Sequence, residues 1–325
     1  MAEIRRDLFT DKIVIVATER SKRPSDFKNS KDKNDVMRYI ENCSFCLGNE
    51  EVDPPEIERI EKDGRWRVRA VPNKFPILTN NEEVEFRSEL HNCIKGQGFH
   101  EVIIETDRHN GNFFNMEDEE FINYLTILRR RYSKLKSKDR VKYISIFKNY
   151  LNGAGASLRH PHSQILTLPI ISPDIAKEIS NAKEYYDRTG LCLHEYVMDY
   201  ERKENKRVIH ETSDFIIIAP YASLYNSEVG IFYKHNNRFE YMSEGTIEEL
   251  SILLKTLFQK MYKRLGNFPF NMYFHTHPLD LERTDFYKWH IHIAPRLSNI
   301  AGFELATGVY VNEVSPEDVS ASLKW

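Results

Sequence analysis

The chain has 325 residues, of which 41% are hydrophobic and 29% are charged, and its 46 basic and 49 acidic side chains leave a net charge of -3. This composition is typical of a globular protein with a sizeable apolar core, and the length favours about two domains. No apolar run approaches the ~18 residues of a membrane-spanning helix, and no basic excess indicates a nucleic-acid partner. We therefore expect neither a membrane nor a nucleic acid among its partners.

The N-terminal residues and the cysteines predict where the protein works. Residues 1–7 carry several charges and no apolar run follows them, so we expect no signal peptide. The four cysteines, Cys43, Cys46, Cys93 and Cys192, are too few for a disulfide scaffold. The expected location is the reducing cytoplasm, where the close pair Cys43 and Cys46 indicates metal binding or redox chemistry.

Apolar periodicity predicts a repeated series of strands and helices. In chain order these are a strand at 101–106, a helix at 116–135, strands at 143–147 and 164–168, a strand at 229–233, a helix at 246–265, and strands at 271–275 and 290–294. Thr246 and Glu249 have the spacing of a capping box, which predicts that the second helix begins at Thr246.

Histidines recur at matching places in this series. His109 follows the first strand and His235 follows the first strand of the second set, while a His-x-His pair lies at the last strand of each set. The pairs are His160 with His162 and His290 with His292. The period of about 126 to 130 residues is too long for a solenoid. We therefore predict an α+β fold built from a duplicated unit, with a mainly antiparallel sheet, flanking helices, and halves at 1–185 and 186–325.

The Cys-x-x-Cys pair is the first candidate metal site. A two-residue gap lets the sulfurs of Cys43 and Cys46 turn toward one ion, and zinc takes thiolate and imidazole ligands in tetrahedral sites. His109 and His160, each beside a predicted strand, are candidates for the other two ligands. The alternative is a reduced thiol pair without metal, although a thioredoxin-like motif would need a βαβ context that the sequence does not offer.

A segment of small residues before the first His-x-His pair is the candidate catalytic site. Residues 153–156 read Gly-Ala-Gly-Ala, so a ligand can approach their backbone, and exposed N–H groups there could cradle a phosphate. Alternation along the next strand points His160, His162 and Gln164 to one side. One histidine can then bind a metal while its neighbour acts as a nucleophile. The alternative is a pair of surface histidines on an edge strand.

Several short segments, taken in order, resemble the galactose-1-phosphate uridylyltransferase family, the transferase branch of the histidine-triad superfamily. They are RSKRP at 20–24, CSFCLGNE at 43–50, VPNKFP at 71–76, GFHEV at 98–102, HPHSQ at 160–164 and WHIH at 289–292. The resemblance covers nearly the whole chain and implies a homodimer. It implies a histidine-triad-like half with the zinc site and the nucleophile, followed by a second such half with the acceptor-binding segment.

The resemblance also assigns roles in the first half. It implies that His162 is the nucleophile, which forms a nucleotidyl-imidazole, and that Gln164 hydrogen-bonds the transferred phosphoryl group. It implies zinc at Cys43, Cys46, His109 and His160. The implied substrate-binding residues are Arg20, Arg23, Asn73, Asn149, Gly155 and Ser157, with Arg20 and Arg23 reaching across a dimer interface.

Gln164 separates this chain from the hydrolytic relatives, which carry a third histidine there. A glutamine donates hydrogen bonds but shuttles no proton at pH 7, so the intermediate should wait for an incoming phosphate instead of water. The expected reaction is a ping-pong transfer of a nucleoside monophosphate between a sugar nucleotide and a hexose 1-phosphate or phosphate. A dinucleoside polyphosphate phosphorylase and a nucleotide-binding protein without turnover are the alternatives.

The second His-x-His pair indicates a second metal centre. The resemblance implies a second zinc or an iron ion held by Glu178, His275, His290 and His292, a ligand set that suits either metal. A rival set is Cys192, Glu195 and His235, where other relatives carry a second Cys-x-x-Cys site whose second cysteine is missing here. The remaining alternative is a group of buried strand histidines that are satisfied by hydrogen bonds.

The segment 301–310 bears on the acceptor. Phe303 and Glu304 match the hexose-phosphate segment of the uridylyltransferases, whereas Tyr310 stands where those enzymes have a glutamine. The local pattern is closer to an ADP-glucose phosphorylase-like branch, which transfers an adenylyl group. The base and the sugar are therefore left open at this point.

Overall fold

A computed structural model describes residues 2–22, 37–80, 94, 96–236 and 238–325. Its strands are β1 (Glu3–Arg6), β2 (Ile13–Val16), β3 (Glu58–Lys62), β4 (Arg65–Pro72), β5 (His100–Ile104), β6 (Tyr143–Tyr150), β7 (His162–Leu168), β8 (Val208–Glu211), β9 (Phe215–Ile218), β10 (Val229–Tyr233), β11 (Phe270–His275), β12 (His290–Pro295) and β13 (Val309–Asn312). Its helices are α1 (Asp118–Leu135), α2 (Pro173–Thr189), α3 (Leu193–Glu204), α4 (Glu244–Leu265), α5 (Gly302–Thr307) and α6 (Pro316–Leu323).

Ten strands form one sheet in the order β3-β4-β5-β7-β6-β11-β12-β10-β9-β8. From the outer edge of the sheet inward, the first half runs β3, β4, β5, β7, β6 and the second half runs β8, β9, β10, β12, β11. Both halves therefore use the same strand order. The halves meet where β6 and β11 pair antiparallel, with Tyr150 opposite Phe270. One long helix follows the third strand of each half, α1 after β5 and α4 after β10. The predicted duplication of an α+β unit with a mainly antiparallel sheet is therefore confirmed.

The two long helices cover one face of the sheet. Residues on one side of α1, including Phe121, Leu125 and Leu128, are fully buried, and α1 packs against α4. They meet the side of β6 that carries Ile144 and Ile146. Burying these apolar stripes stabilises the sheet by roughly 1.5–3 kcal/mol for each large side chain. The opposite face, here called the polar face, carries His162, His290 and His292 beside smaller apolar clusters.

The start of α4 differs from the prediction. The helix begins after Ser243, whose hydroxyl accepts a hydrogen bond from the Thr246 N–H, so Thr246 is the third helical residue and not the cap. The carboxylate of Glu249 instead accepts hydrogen bonds from the loop before β9, including the N–H of Asp214 at 2.8 Å. The predicted capping box is wrong because a tertiary contact uses the glutamate.

Two helices that the periodicity did not predict lie against the polar face in the second half. Pro173 occupies the first turn of α2, and Gly190, in the left-handed conformation at φ 73°, ends it. The carboxylate of Glu178 in α2 contacts strand β11 through His275, 2.9 Å away. Helix α2 also runs across residue 185, and the division of the chain at that residue stays a prediction.

The N- and C-terminal segments form a separate small sheet. Strand β2 pairs antiparallel with β1 and parallel with β13. The guanidinium of Arg5 in β1 pairs with Glu317 of α6 at 3.1 Å, which ties the two ends of the chain together. Among the helices of the described ranges, none has the length and apolar character to span a bilayer.

Candidate active site and metal centres

The loop before β3 and the loops around β5 and β7 bring Cys43, Cys46, His109 and His160 together. The Cys46 sulfur lies 3.5 Å from Nδ1 of His109 and 3.7 Å from Nδ1 of His160, and the Cys43 sulfur lies 3.7 Å from the same His160 atom. A tetrahedral zinc with its usual Zn–S and Zn–N bonds separates sulfur from nitrogen by roughly 3.6 Å. The four predicted ligands therefore have the spacing of a zinc site.

The protonation states of these side chains also suit a metal. Nε2–H of His160 donates to the Thr106 carbonyl at 2.9 Å, which leaves Nδ1 with a lone pair on the sulfur side. Burial lowers the pKa of His160 to about 3, so the ring is neutral. Burial also raises the pKa of the Cys43 thiol to about 11. A bound cation supplies the positive charge that a thiolate needs there.

His162 is the first residue of β7 and is 7% exposed. Its Nδ1–H donates to the His160 carbonyl at 2.9 Å, so the second ring nitrogen, Nε2, carries the lone pair. Burial lowers the pKa of His162, which keeps the ring neutral and nucleophilic at neutral pH. The Phe45 ring, from the Cys-x-x-Cys loop, packs edge-on against His162 at 5.7 Å. The metal loop and the candidate nucleophile are therefore in direct contact.

The amide of Gln164 is held in one orientation by His100, a residue to which the sequence analysis gave no role. Nδ1 of His100 accepts from the Ile77 N–H at 3.1 Å, so Nε2 carries the hydrogen and donates to Oε1 of Gln164 at 2.8 Å. The Asn73 amide donates to the same oxygen at 3.2 Å. Since the oxygen is occupied, the Gln164 NH₂ group remains as a hydrogen-bond donor. In the sequence His100 appeared only as one residue of the GFHEV segment, and no pattern there indicated its role.

The small-residue loop after β6 is fixed by polar contacts with β11. Gly155 has φ 86°, a conformation that favours glycine. The Asn271 amide donates to Oδ1 of Asn149 at 2.8 Å and to the Ala154 carbonyl at 2.9 Å. Gly155 and Ser157 are both exposed, so this loop offers backbone and hydroxyl groups to a ligand.

A buried ion pair that the sequence did not reveal lies on the helix-covered side of β7. Nζ of Lys148, 1% exposed, is 2.7 Å from Oε2 of Glu105, which is fully buried. The same ammonium donates to the His162 carbonyl at 3.3 Å. The Ser163 hydroxyl donates to the other Glu105 oxygen and is 2.9 Å from the Tyr124 hydroxyl. From the helix-covered face, this network holds the backbone of β7 at His162 and Ser163.

Three further predicted substrate-binding residues, Arg20, Phe303 and Glu304, lie near the small sheet. Arg20 is 51% exposed and pairs with Glu313 at 3.1 Å. Phe303 is 48% exposed in α5, and the Glu304 carboxylate caps that helix by accepting from the Ala301 N–H at 3.0 Å. Arg23 lies outside the described residues.

The second metal candidates meet on the polar face of the second half. Oε2 of Glu178 accepts from Nδ1–H of His275 at 2.9 Å, and Oε1 is 3.2 Å from Nε2 of His290. His275, His290 and His292 each place a ring nitrogen within 4.8 Å of the others. Burial alone would raise the pKa of Glu178, but His290 and His275 hold it well below its usual range. The cluster is thus an ionised carboxylate among imidazoles, an arrangement that suits a cation.

The rival set does not form. Within the described chain, Cys192, Glu195 and His235 share no cluster of metal-ligating atoms. The carboxylate of Glu195 pairs with Lys288 at 2.7 Å, and Nε2 of His235 pairs with Asp214 at 3.0 Å. The alternative set is therefore not assembled in the described residues, because the glutamate in place of the second cysteine turns outward to a lysine.

An aromatic cavity of about 900 Å³ lies beside this second cluster. Tyr273 and Tyr310 line it together with His275 and His292, which are 18% and 17% exposed. The predicted metal ligands therefore form part of its wall.

The duplicated sheet, with a buried His-x-Gln strand against a Cys₂His₂ cluster, defines a histidine-triad-like nucleotidyltransferase. A family profile described as galactose-1-phosphate uridyl transferase, N-terminal domain, matches residues 1–172, and a domain of unknown function, DUF4921, matches residues 97–324. The chain belongs to the galactose-1-phosphate uridyl transferase family, which confirms the expected fold class and the expected enzyme class.

The relatives include two kinds of enzyme. An ADP-glucose phosphorylase of Arabidopsis thaliana is 33% identical over 99% of this chain and 92% of its own length. A galactose-1-phosphate uridylyltransferase of Thermotoga maritima is 28% identical over 100% and 98%. The crystal structure of the Arabidopsis phosphorylase with bound ADP-glucose has a TM-score of 0.86 at 32% identity and covers 100% of this chain and 99% of its own. A uridylyltransferase structure has a TM-score of 0.77 at 25% identity and covers 99% and 97%.

Proposed function

We propose that this enzyme transfers a nucleoside monophosphate from a sugar nucleotide through a covalent bond to Nε2 of His162. The observation that carries the proposal is the hydrogen bond from Nδ1–H of His162 to the His160 carbonyl, which leaves Nε2 as the nucleophile. In the first step Nε2 attacks the α-phosphorus, the bond between that phosphorus and the bridging oxygen breaks, and a sugar 1-phosphate leaves. In the second step a phosphate oxygen of the acceptor attacks the same phosphorus and releases the free imidazole.

Gln164 stabilises the transferred group without assisting water. The His100 and Asn73 hydrogen bonds to its oxygen direct its NH₂ group to act as the donor toward a phosphoryl oxygen. An incoming phosphate is already anionic and needs no general base, whereas a water molecule needs one. Since a neutral amide accepts no proton at pH 7, the intermediate persists until a phosphate arrives.

We propose that Cys43, Cys46, His109 and His160 hold a structural zinc ion, because their spacing and tautomers fit one. The ion fixes the loop whose Phe45 ring packs on His162 and the backbone carbonyl that orients the imidazole. The second ion, zinc or iron, belongs to Glu178, His275, His290 and His292.

The substrates follow from the exposed groups around β7 and from the relatives. Asn73, Asn149, Gly155 and Ser157 are proposed to contact the nucleotide phosphates. Arg20 and Arg23 are proposed to reach the partner's site in a homodimer, with Phe303 and Glu304 contacting the acceptor. The enzyme is proposed to work in the cytoplasm, where Cys43 and Cys46 stay reduced.

Two donor–acceptor pairs are candidates. A uridylyl transfer between UDP-sugar and hexose 1-phosphate follows from the family, and an adenylyl transfer from ADP-glucose to phosphate is favoured by two observations. These are the similarity to the Arabidopsis phosphorylase at 33% identity and Tyr310 in the cavity wall, where the uridylyltransferases have a glutamine. A mass-spectrometric screen that crosses UDP- and ADP-sugars with hexose 1-phosphates and inorganic phosphate decides between them.

Covalent labelling tests the chemistry itself. Incubation with ADP-glucose or UDP-glucose labelled at the α-phosphate should leave an acid-labile label on His162 after denaturation. The His162→Ala variant should take no label, and the control His210→Gln, on an edge strand beside Trp325, should label like the wild type. Label on another residue, or none with either donor, contradicts the proposal.

A further inference from the structure

His194 in α3 is a fully buried histidine that neither the predicted ligand set nor the rival set contains. Its ring is 0% exposed, and the polar side chains that face its nitrogens are the Glu178 carboxylate, 3.6 Å from Nε2, and the Cys192 thiol. It stacks on Phe9 at 4.5 Å and meets the edge of Tyr287 at 4.9 Å, which holds the ring in one place. A rigid, buried imidazole beside a carboxylate and a thiol has the neighbours typical of a metal ligand.

The nearest polar atom of the second metal cluster faces this ring. Oε1 of Glu178 is 3.6 Å from Nε2 of His194 and 3.2 Å from Nε2 of His290. The three residues place their ligand atoms within 4.8 Å of one another, and their side chains are 1%, 0% and 2% exposed. In a tetrahedral zinc site the oxygen-to-nitrogen spacing is roughly 3.4 Å, so both distances match a shared ion.

The tautomer of His290 leaves a lone pair that can bind a cation at this point. Its Nδ1–H donates to the Lys288 carbonyl at 3.0 Å, so Nε2 presents a lone pair to the ionised Glu178 oxygen. Two acceptor atoms 3.2 Å apart can both bind one metal ion that lies between them.

We propose that His194 is a direct ligand of the second metal ion, alongside Glu178 and His290. The ion then connects α2, α3 and β12 in the interior. His194 would supply a ligand in place of the second cysteine that this chain lacks. Glu195, at the position of that cysteine, is 49% exposed and bound to Lys288, whereas His194, one residue earlier, points inward. The proposal is independent of nucleotidyl transfer, since it concerns metal binding alone.

A pair of isosteric variants tests the proposal in the full-length protein. His194→Glu keeps a metal-ligating group, whereas His194→Gln has nearly the same shape but is a poor ligand. Each protein is purified with zinc or iron in the medium, and metal per chain is measured before and after a chelator challenge. We expect two metal equivalents in the wild type and in His194→Glu. In His194→Gln the second equivalent should be lost, or leave on the order of 100-fold faster, because replacing even an outer partner weakens metal binding 10–100-fold.

The control is His277→Gln, at a second buried histidine of the same region. Nε2–H of His277 donates to the Tyr287 carbonyl at 3.2 Å, and His277 belongs to none of the ligand groups. This variant should keep both equivalents. A wild type with a single equivalent overturns the proposal. Equal metal retention in the Glu and Gln variants of His194 also overturns it, because a packing role would treat the two alike.

Discussion

Removal of the Lys148 ammonium should destabilise the protein far more than removal of an exposed lysine with the same geometry. In Lys148→Met, the carboxylate of Glu105, which is 0% exposed, loses a partner at 2.7 Å. Breaking a buried pair in this way costs about 3–5 kcal/mol. The pair Lys62–Glu119 has the same 2.7 Å separation, but its side chains are 53% and 58% exposed. Lys62→Met should therefore cost under about 1 kcal/mol.

A double variant separates the lost partner from the lost packing. Lys148→Met combined with Glu105→Gln removes both charges, and the new amide oxygen still accepts from the Ser163 hydroxyl. We expect it to recover about 2–3 kcal/mol of the single-variant loss.

The assay is urea denaturation followed by circular dichroism, with the α-phosphate label on His162 as a second readout. The label should form more slowly in Lys148→Met, because the lost ammonium also held the His162 carbonyl. The reasoning fails if Lys148→Met and Lys62→Met lose equal stability, or if the double variant is as unstable as the sum of its parts.

Three further predictions concern the site and its frame. His100→Phe should slow labelling about 5- to 10-fold in single-turnover kinetics, since one neutral hydrogen bond to Gln164 contributes about 1–1.5 kcal/mol; an unchanged rate would show that Asn73 alone suffices. Cys43→Ser should lose one metal equivalent, seen by elemental analysis, together with labelling, and full activity without that metal would remove the structural role. Gly98→Ala places a methyl group 2.4 Å from a carbonyl oxygen of β7 and should lower the free energy of unfolding measured in urea by about 1–3 kcal/mol, whereas Gly302→Ala, with open space around it, should not.

The sequence was sufficient for elements with strong periodicity. Helices α1 and α4 and the strands around them were predicted within a few residues, because their apolar positions recur at helical or alternating spacing. Helices α2 and α3 were missed although Ile175, Ile179 and Ala182 of α2 recur at helical spacing, so the signal was present in the sequence. Only Ile175, Glu178 and Ala182 of α2 are buried, and one of these three is a carboxylate that faces the histidines.

The site was predictable where its chemistry is local in sequence. Cys43 and Cys46 are close in sequence, and so are His160 and His162. Their spacing alone predicts that each pair points its side chains toward one site. His100 and Gln164 are 64 residues apart, and Lys148 and Glu105 are 43 apart, so their contacts arise only from strand pairing. No local pattern marks a histidine as the residue that orients a distant amide.

The two halves share one strand order but support different chemistry, and the partner of one ring nitrogen shows why. His162 and His292 are the second histidines of their pairs, opposite Ile104 of β5 and Gly230 of β10. Nδ1–H of His162 donates to a backbone carbonyl, whereas Nδ1–H of His292 donates to the Glu228 carboxylate at 3.0 Å. A carboxylate partner makes an imidazole a more basic metal ligand.

The two halves also differ two residues further along these strands, after His162 in β7 and after His292 in β12. Gln164 offers an amide donor to a phosphoryl group, but the same position of β12 holds Ala294, which has no polar side chain. The second half therefore lacks the group that would stabilise a nucleotidyl-histidine. Its His-x-His pair keeps the strand geometry of the first half, and with Glu178 supplied by a helix that follows β7, it forms the proposed ligand set of the second metal ion. Ala294→Gln alone should consequently give no second labelled histidine in the α-phosphate assay, since Nε2 of His292, the nitrogen that Glu228 leaves free, is the one proposed to bind the second metal ion.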